Sequence, residues 1–302
     1  MTRASRPHGD ILDPITVSRI GNLRLRARLI VEGFMAGLHR SPYHGFSSEF
    51  RDHRSYQPTD PSKLVDWRVF GRTDRLFVKQ FTDETNVRVH LLLDVSGSMG
   101  YQSAGVMTKL DYARTLAASL AFLMRKQRDA VGLIAYDDTL RLWIRPGTSS
   151  AHLDLLLIQL SRLTPHGSTG TVEVFADIAS RIPKRSIVIV LSDLLAPTEK
   201  LIPAIRHLAS GKHELIIIRI LDNDERRLPR GRILSLKDLE TGKQLTIRPT
   251  LIRNVYQEVT QHAWTLLSDA VGGFRAHLVD VDTHKDFSTV LTAILTSRVH
   301  QR

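Results

Sequence analysis

Apolar residues along this chain fall into two alternating spacings, which predict strands followed by helices. Short and nearly continuous apolar runs at 89–94, 187–191 and 215–221 are typical of strands covered on both faces. Between and beside them, helical spacing predicts helices over 108–126, 149–163, 172–181 and 197–209. This alternation predicts an α/β fold, a mostly parallel sheet with helices on both faces.

Two hairpins interrupt the alternation. The segments 131–136 and 139–144 flank Asp137-Asp138, so one of these strands is expected to be an antiparallel edge of a mixed sheet. A basic, polar segment after residue 222 predicts a hairpin insertion between Ile233 and Ile247, with its turn at 238–242. The last predicted elements are a helix over 251–271, a strand over 276–281 and a helix over 287–299.

The N-terminal part of the chain has a different pattern. Apolar residues at helical spacing predict an amphipathic helix over 22–38, and a mixed stretch with a predicted strand at 77–81 follows. We therefore divide the chain into an N-terminal tail and helix, a small lobe, and a main domain with an insertion near 222–250. Their predicted boundaries are 1–45, 46–86 and 87–302.

Composition limits the class of protein without selecting it. The 302 residues are 42% hydrophobic and 24% charged, which suits a large globular domain with a smaller lobe. No apolar run approaches the roughly 18 to 20 residues that span a bilayer, and the first residues lack the apolar core of a secretory signal. We expect a cytoplasmic chain without membrane contact. The absence of cysteine excludes disulfides, thiolate metal sites and cysteine nucleophiles.

The formal net charge of +11 favours acidic partners. Nucleic acid is one such partner, and a basic nucleic-acid-binding protein is an alternative function. The sequence lacks a zinc knuckle, an RNA-recognition signature and a helix-turn-helix signature, so this alternative is not favoured.

The chemistry of the chain is concentrated after the first strand of the main domain. Asp94, Ser96 and Ser98 follow that strand on alternate residues, and Gly97 allows the backbone to bend between the serines. One carboxylate and two hydroxyls are the oxygen ligands that a hard divalent cation prefers. The alternative is a turn in which these side chains only cap backbone amides.

Two later loops strengthen the cation hypothesis. Oxygen-bearing residues occur at 167–171, and Ser192-Asp193 follows the strand at 187–191. Because ligands of an open parallel sheet lie outside the carboxyl ends of its strands, we expect these loops to converge with the first one.

These three loops resemble the metal-ion-dependent adhesion site of the von Willebrand factor A fold, a Rossmann-like arrangement. The resemblance implies that Ser96, Ser98 and Thr169 coordinate Mg²⁺ or Mn²⁺, while Asp94 and Asp193 act largely through bound water. It also implies that an acidic residue of a protein ligand completes the coordination. Thr171, two residues beyond Thr169, is an alternative threonine ligand.

The segment upstream of the first motif narrows the resemblance to one family. Together with that motif, the sequences at 54–60, 66–67 and 72–73 are similar to the family of domain of unknown function fifty-eight, from about Ser41 to the C-terminus. Members of this family are often encoded beside MoxR-type AAA+ ATPases. The resemblance therefore implies a metal-dependent protein-interaction module, an adaptor or partner of such an ATPase in the assembly or maturation of protein complexes.

Arginines of the small lobe are candidate contacts for an acidic partner surface. These are Arg54, Arg68 and Arg72. The alternative is a solvated basic face, with Arg72 in a structural ion pair with Asp66.

Motifs of catalysis are missing from the sequence. It contains no nucleophile elbow, no His-Glu-x-x-His pair and no Walker A loop. We therefore predict that the chain is not an enzyme. A metal-assisted hydrolase is the remaining alternative, because the same cation would activate water.

Overall fold

The structure is a computed structural model that describes residues 12–38, 54–55, 71–72, 75–78, 87–103, 107–274 and 276–299. The chain divides into two compact units, Met1–Gly37 with Val87–Arg302 and, separately, Leu38–Asn86. The described strands are β1 (Arg54–Ser55), β2 (Phe77–Val78), β3 (Arg88–Asp94), β4 (Ala130–Tyr136), β5 (Leu140–Gly147), β6 (Ile187–Ser192), β7 (Glu214–Leu221), β8 (Leu234–Lys237), β9 (Gln244–Ile247) and β10 (Ala276–Asp282). The described helices are α1 (Pro14–Ser18), α2 (Leu23–Leu38), α3 (Lys109–Lys126), α4 (Ser150–Arg162), α5 (Thr171–Arg181), α6 (Thr198–Ala209), α7 (Asn223–Arg226), α8 (Pro249–Gly272) and α9 (Phe287–Val299).

The main sheet has six strands in the order β10-β7-β6-β3-β4-β5. All neighbouring pairs are parallel except β4 and β5, which form the predicted antiparallel edge. Counted along the chain within this sheet, the order is the doubly wound 3-2-1-4-5-6, whose direction reverses between β3 and β6. The predicted α/β fold with a mostly parallel sheet is confirmed.

Alternation along the strands places helices on both faces. Leu92, Val188 and Val190 share a buried core with residues of α5, α6 and α8. Their neighbours in sequence point to the other face, where α3 packs on β3 and β4. On that face the rings of Tyr112 in α3 and Phe287 in α9 stack with centroids 4.5 Å apart. The sheet is thus buried on both sides, as the continuous apolar runs predict.

Helix α2 belongs to the unit that contains the main sheet. Its Arg26 donates to both carboxylate oxygens of Asp111 in α3, each at 3.1 Å, and both side chains are largely buried. Ile30 and Phe34 of the same helix are also buried. The sequence prediction set 1–45 apart as one segment, and in the structure the helix of this segment contacts α3 through an ion pair that no local pattern reveals.

The smaller unit contains the short antiparallel pair β1 and β2, in which Arg54 is opposite Val78. The predicted strand at 77–81 begins at Phe77, and residues 79–81 lie outside the described residues. In the described part of the chain, no helix is both long enough and apolar enough to cross a membrane.

The predicted hairpin insertion is present as β8 and β9. These strands form a separate antiparallel sheet in which Leu234 is opposite Ile247. The side chains of both strands are mostly exposed. An isolated two-stranded hairpin is only marginally stable, so the position of this one depends on its contacts with the rest of the chain.

Candidate metal centre

The candidate site lies at the point where the strand order of the main sheet reverses. Asp94 is the last residue of β3, Ser192 is the last residue of the adjacent β6, and Asp193 follows it. The parallel register pairs Leu93 with Leu191, so both strands end at the same edge. This is where an open α/β sheet binds ligands.

Asp94 joins the first and third loops of the site. One of its carboxylate oxygens accepts a hydrogen bond from the Ser96 amide at 2.9 Å, and the other accepts one from the Ser192 hydroxyl at 2.6 Å. The side chain is fully buried. Burial and the nearby charge of Asp193 raise the pKa of Asp94 to about 7, because both disfavour its ionised form.

The two serines present their hydroxyls side by side. Ser96 Oγ lies 3.1 Å from Ser98 Oγ, and a short 3₁₀ helix, Gly97–Gly100, turns the chain at this point. The Gly97 amide donates to the Gly167 carbonyl at 3.0 Å. A Cβ on Gly97 would lie only 3.0 Å from that carbonyl oxygen, so glycine is what allows the first and second loops to meet.

The second loop is fixed by Asp137, at the end of β4. Its backbone carbonyl accepts from the Gly170 amide at 3.2 Å, and its carboxylate packs against Gly167, which has a φ of +71°. The amide of His166 donates to the carbonyl of Val95 at 2.8 Å. The loop is therefore held against both β3 and β4.

The two candidate threonines have different surroundings. Thr169 is half-buried, and its amide donates to Glu240 Oε2 at 3.0 Å while its hydroxyl donates to Glu240 Oε1. Thr171 begins α5 and is buried, and its hydroxyl lies beside the buried hydroxyl of Tyr136. Thr169 is thus partly exposed and bonded to Glu240, whereas Thr171 is enclosed beside Tyr136.

Asp193 is paired with a buried lysine. Lys109 Nζ lies 2.7 Å from Asp193 Oδ2 and 2.5 Å from Glu225 Oε1. Burial alone would lower the pKa of Lys109, but the charges of Asp193 and Glu225 raise it, so the ammonium stays charged.

The backbone after Asp193 has an uncommon conformation. Leu194 has a φ of +55°, which is often found at functional sites.

The donor set of this site suits a hard divalent cation. It consists of hydroxyl and carboxylate oxygens, the ligands of Mg²⁺ and Mn²⁺. When Asp94, Asp193 and Glu225 are ionised, the Lys109 charge leaves two negative charges uncompensated, which a divalent cation balances. Because Lys109 already contacts one oxygen of Asp193, this carboxylate is better placed to act through water than directly.

A metal at this site would depend on the serine and threonine hydroxyls. Across the described ranges, no group of three or more His, Asp or Glu side chains is arranged to hold a metal ion. Ser96, Ser98 and a threonine would therefore supply ligands that the carboxylates alone do not.

The structure does not test the predicted arginine contacts. Arg54 lies in β1, but its side chain is not described, and Arg68 lies outside the described residues. Arg72 is described and exposed. All three remain candidate partner contacts.

Sequence reasoning missed three residues that contact the site, Lys109, Glu225 and Glu240. A lysine at the first position of a helix opposes the helix dipole, and this local conflict was an available sign of a buried acidic partner. Glu225 forms a capping box with Asp222, which is visible as a sequence spacing. No sequence signal indicates where the turn that carries Glu240 would dock.

The fold and the site define a doubly wound α/β protein with an oxygen-lined edge at the strand switch point. The family model described as "Protein of unknown function DUF58" matches residues 52–264. The chain belongs to this family, as its sequence motifs predict.

Known proteins are similar to this chain over most of its length. The protein from Mycobacterium tuberculosis (strain H37Rv) called "Uncharacterized protein Rv1480" is 28% identical over 295 residues, covering 96% of this chain and 92% of that protein. The crystal structure of the conserved hypothetical protein BatB from Bacteroides thetaiotaomicron is 14% identical with a TM-score of 0.47, covering 72% of this chain and 100% of the solved chain. The SpRpn10 VWA domain is 13% identical with a TM-score of 0.39, covering 69% and 94%. Structural similarity at this level carries no information about function.

Proposed function

We propose that this chain is a metal-dependent protein-interaction module. Its oxygen site binds Mg²⁺ or Mn²⁺, and the bound cation accepts an acidic residue of a partner protein. The observation that supports this function best is the convergence of Asp94, the Ser96 and Ser98 hydroxyls, and Asp193 at one edge of the sheet.

Each residue has a separate role in this proposal. Ser96, Ser98 and Thr169 hold the cation through hydroxyl oxygens, with Thr171 as the alternative threonine. Asp94 orients the first loop through the Ser96 amide, and Asp193 is held in place by Lys109. A cation with mostly neutral ligands keeps a strong attraction for a further carboxylate.

Recognition is favoured over catalysis because the described residues show no serine–histidine pair at this site. The hydroxyls of Ser96 and Ser98 contact each other, and no hydrogen bond joins either to a histidine among the described residues. A MoxR-type AAA+ ATPase is the partner we propose, since the sequence motifs are those of a family often encoded beside such ATPases.

The metal site is tested by isothermal titration of MgCl₂ and MnCl₂ into the wild-type chain, Ser98→Ala and Ser161→Ala. Ser161 is an exposed serine of α4 and serves as the matched control. We expect the wild type and Ser161→Ala to bind alike and Ser98→Ala to bind at least about 10-fold more weakly. Failure of the wild type to bind either cation, or equal binding by all three chains, contradicts the proposal.

The partner is tested by capture of a purified MoxR-type AAA+ ATPase on the immobilised chain. We expect capture in Mg²⁺, loss of capture in EDTA, and loss in Ser98→Ala but not in Ser161→Ala. If neither EDTA nor Ser98→Ala reduces capture, the ATPase binds elsewhere on the chain.

A further inference from the structure

The tip of the β8–β9 hairpin lies on the candidate metal centre. Glu240, in the turn, accepts hydrogen bonds from both the amide and the hydroxyl of Thr169. The carbonyl oxygen of Leu239 lies 3.0 Å from the position that a Cβ on Gly97 would take, and Glu240 Cγ lies 3.4 Å from it. One turn therefore covers both the first and the second loop of the site.

The turn is organised independently of this contact. The Asp238 carboxylate accepts from the Glu240 amide at 2.9 Å and from the Thr241 hydroxyl, and the Gly242 amide donates to the Asp238 carbonyl at 2.9 Å. Gly242 has a φ of +71°, a conformation that glycine adopts without strain. The hairpin thus presents Glu240 from a pre-formed turn.

The negative charge of Glu240 gives its contact with Thr169 a role beyond fixing the second loop. Glu240 adds a negative charge to an edge that already holds Asp94, Asp193 and Glu225, with Lys109 as the paired cation. Like charges at one site repel each other unless a cation joins them.

We propose that Glu240 is a built-in ligand that occupies the position of the partner's carboxylate, so that the hairpin closes the site until a partner displaces it. The idea rests on the proposed metal-dependent function and specifies its regulation and the chemistry of its partner. The matching partner element is a turn that presents a carboxylate directly after an apolar residue, as Leu239 and Glu240 do here.

The hairpin can dissociate from the site and rebind at low free-energy cost. Its strands are mostly exposed, and the exposed side chains include Leu236 and Leu245. Segments with few buried apolar contacts open at low free-energy cost. A tethered ligand competes at an effective concentration on the order of millimolar, so a free ligand binds well only once the tethered one is removed.

The test uses a synthetic cyclic peptide that spans residues 234–247, with binding measured by isothermal titration in Mg²⁺. The proteins are the wild type, Glu240→Ala and Glu258→Ala, where Glu258 is an exposed glutamate of α8 and the matched control. In a further variant, a short Gly-Ser linker replaces 235–246, because Leu234 and Ile247 are directly paired and a short link can join them.

We expect Glu240→Ala and the linker variant to bind the peptide at least about 10-fold more tightly than the wild type and Glu258→Ala, because the tethered competitor is gone. EDTA, or a peptide in which Glu240 is replaced by Ala, should abolish this binding. The three full-length chains should share one far-ultraviolet circular dichroism spectrum, and the linker variant should differ from it only by the loss of the hairpin strands.

The outcomes separate this inference from the function on which it rests. Equal peptide affinity in all four chains, or no peptide binding while Mg²⁺ still binds, overturns the built-in ligand and leaves the metal site standing. Absence of Mg²⁺ binding in every chain overturns both.

Discussion

Two clusters of charged residues lie at the carboxyl ends of strands in the main sheet, and they are balanced differently. The arginine cluster consists of Asp280, Asp282, Arg219 and Arg226, and the site cluster consists of Asp94, Asp193, Glu225 and Lys109. The first has two cations for two carboxylates, whereas the second has one cation for three carboxylates. A surplus of buried negative charge is what distinguishes the candidate metal centre from an ordinary ion pair.

The charges of the arginine cluster are paired within the cluster. Asp280 accepts from Arg219 at 2.8 Å and from both terminal nitrogens of Arg226, and Arg219 also stacks 3.7 Å above the ring of Trp264. Burial alone would raise the pKa of Asp280, but the hydrogen bonds from both arginines lower it below its usual range. Each arginine has a carboxylate partner within the cluster, which favours a structural role.

The site cluster shows the opposite behaviour. The pKa of Asp94 is raised to about 7 by burial and by Asp193, and burial also raises the pKa of Glu225. Carboxylates held in unfavourable surroundings are a common feature of functional sites. Comparison of the two clusters teaches that charge balance, and not the number of charges, indicates where a cation belongs.

The largest expected effect comes from Lys109→Met. The variant leaves Asp193 and Glu225 buried without their cation, so we expect the free energy of unfolding to fall by about 3–5 kcal/mol. Urea denaturation measures the change, and Lys126→Met, at an exposed position of the same helix, is the control. A loss below about 1 kcal/mol would show that the lysine is not the main partner of these carboxylates.

Asp280→Asn tests the arginine cluster. We expect the free energy of unfolding to fall by about 1–3 kcal/mol at neutral pH, with Mg²⁺ affinity unchanged. The folded-state pKa of Asp280 lies below its unfolded value, so its contribution is present above about pH 4 and disappears as the pH falls below that value. Urea titrations of both chains across this range should converge at low pH. An altered Mg²⁺ affinity would mean that the two clusters are coupled.

His90 allows the same comparison within one strand, because it lies in the interior of β3 while Asp94 ends that strand. Both ring nitrogens of His90 are buried without hydrogen-bond partners, so it is a packing residue beside Trp143, but its polar atoms are not satisfied. Burial, followed by the charges of His213 and Arg88, lowers its pKa to about 4.

We therefore expect the stability advantage of His90→Leu over the wild type to grow by about 2 kcal/mol as the pH falls from about 7 to about 5. Between these values the unfolded wild-type chain binds a proton that the folded chain does not, so the wild type loses stability as the pH falls. Urea denaturation at both pH values measures the difference. A gain that does not depend on pH would exclude the imidazole charge as its cause.

The smallest effect on stability is expected for the threonines. Thr169→Val removes one side-chain hydrogen bond to Glu240, and Thr171→Val removes at most one to Tyr136, so each should cost at most about 1 kcal/mol. We expect Mg²⁺ affinity to fall by about 10-fold or more for Thr169→Val and less for Thr171→Val. The reverse order in isothermal titration would assign the ligand to Thr171.

Much of the fold was predictable because its signals are local. Apolar runs located β3, β6 and β7, and the Asp137-Asp138 turn indicated the antiparallel edge. The predicted helix ends were also close to the observed ones. Thr108, where the predicted helix begins, is the N-cap of α3. The position of α2 was not predictable, because the contact of Arg26 with Asp111 joins residues that are 85 positions apart.

By itself, the sequence determined the α/β class, the hairpin insertion and the loops that carry Asp94, Ser96, Ser98 and Asp193, since spacing and turn chemistry act over a few residues. Only the tertiary structure decided which charges those loops meet. Lys109 reaches Asp193 from another helix, and Glu240 reaches Thr169 from the inserted hairpin. These contacts depend on how elements distant in sequence pack together, and no local pattern encodes their electrostatic balance.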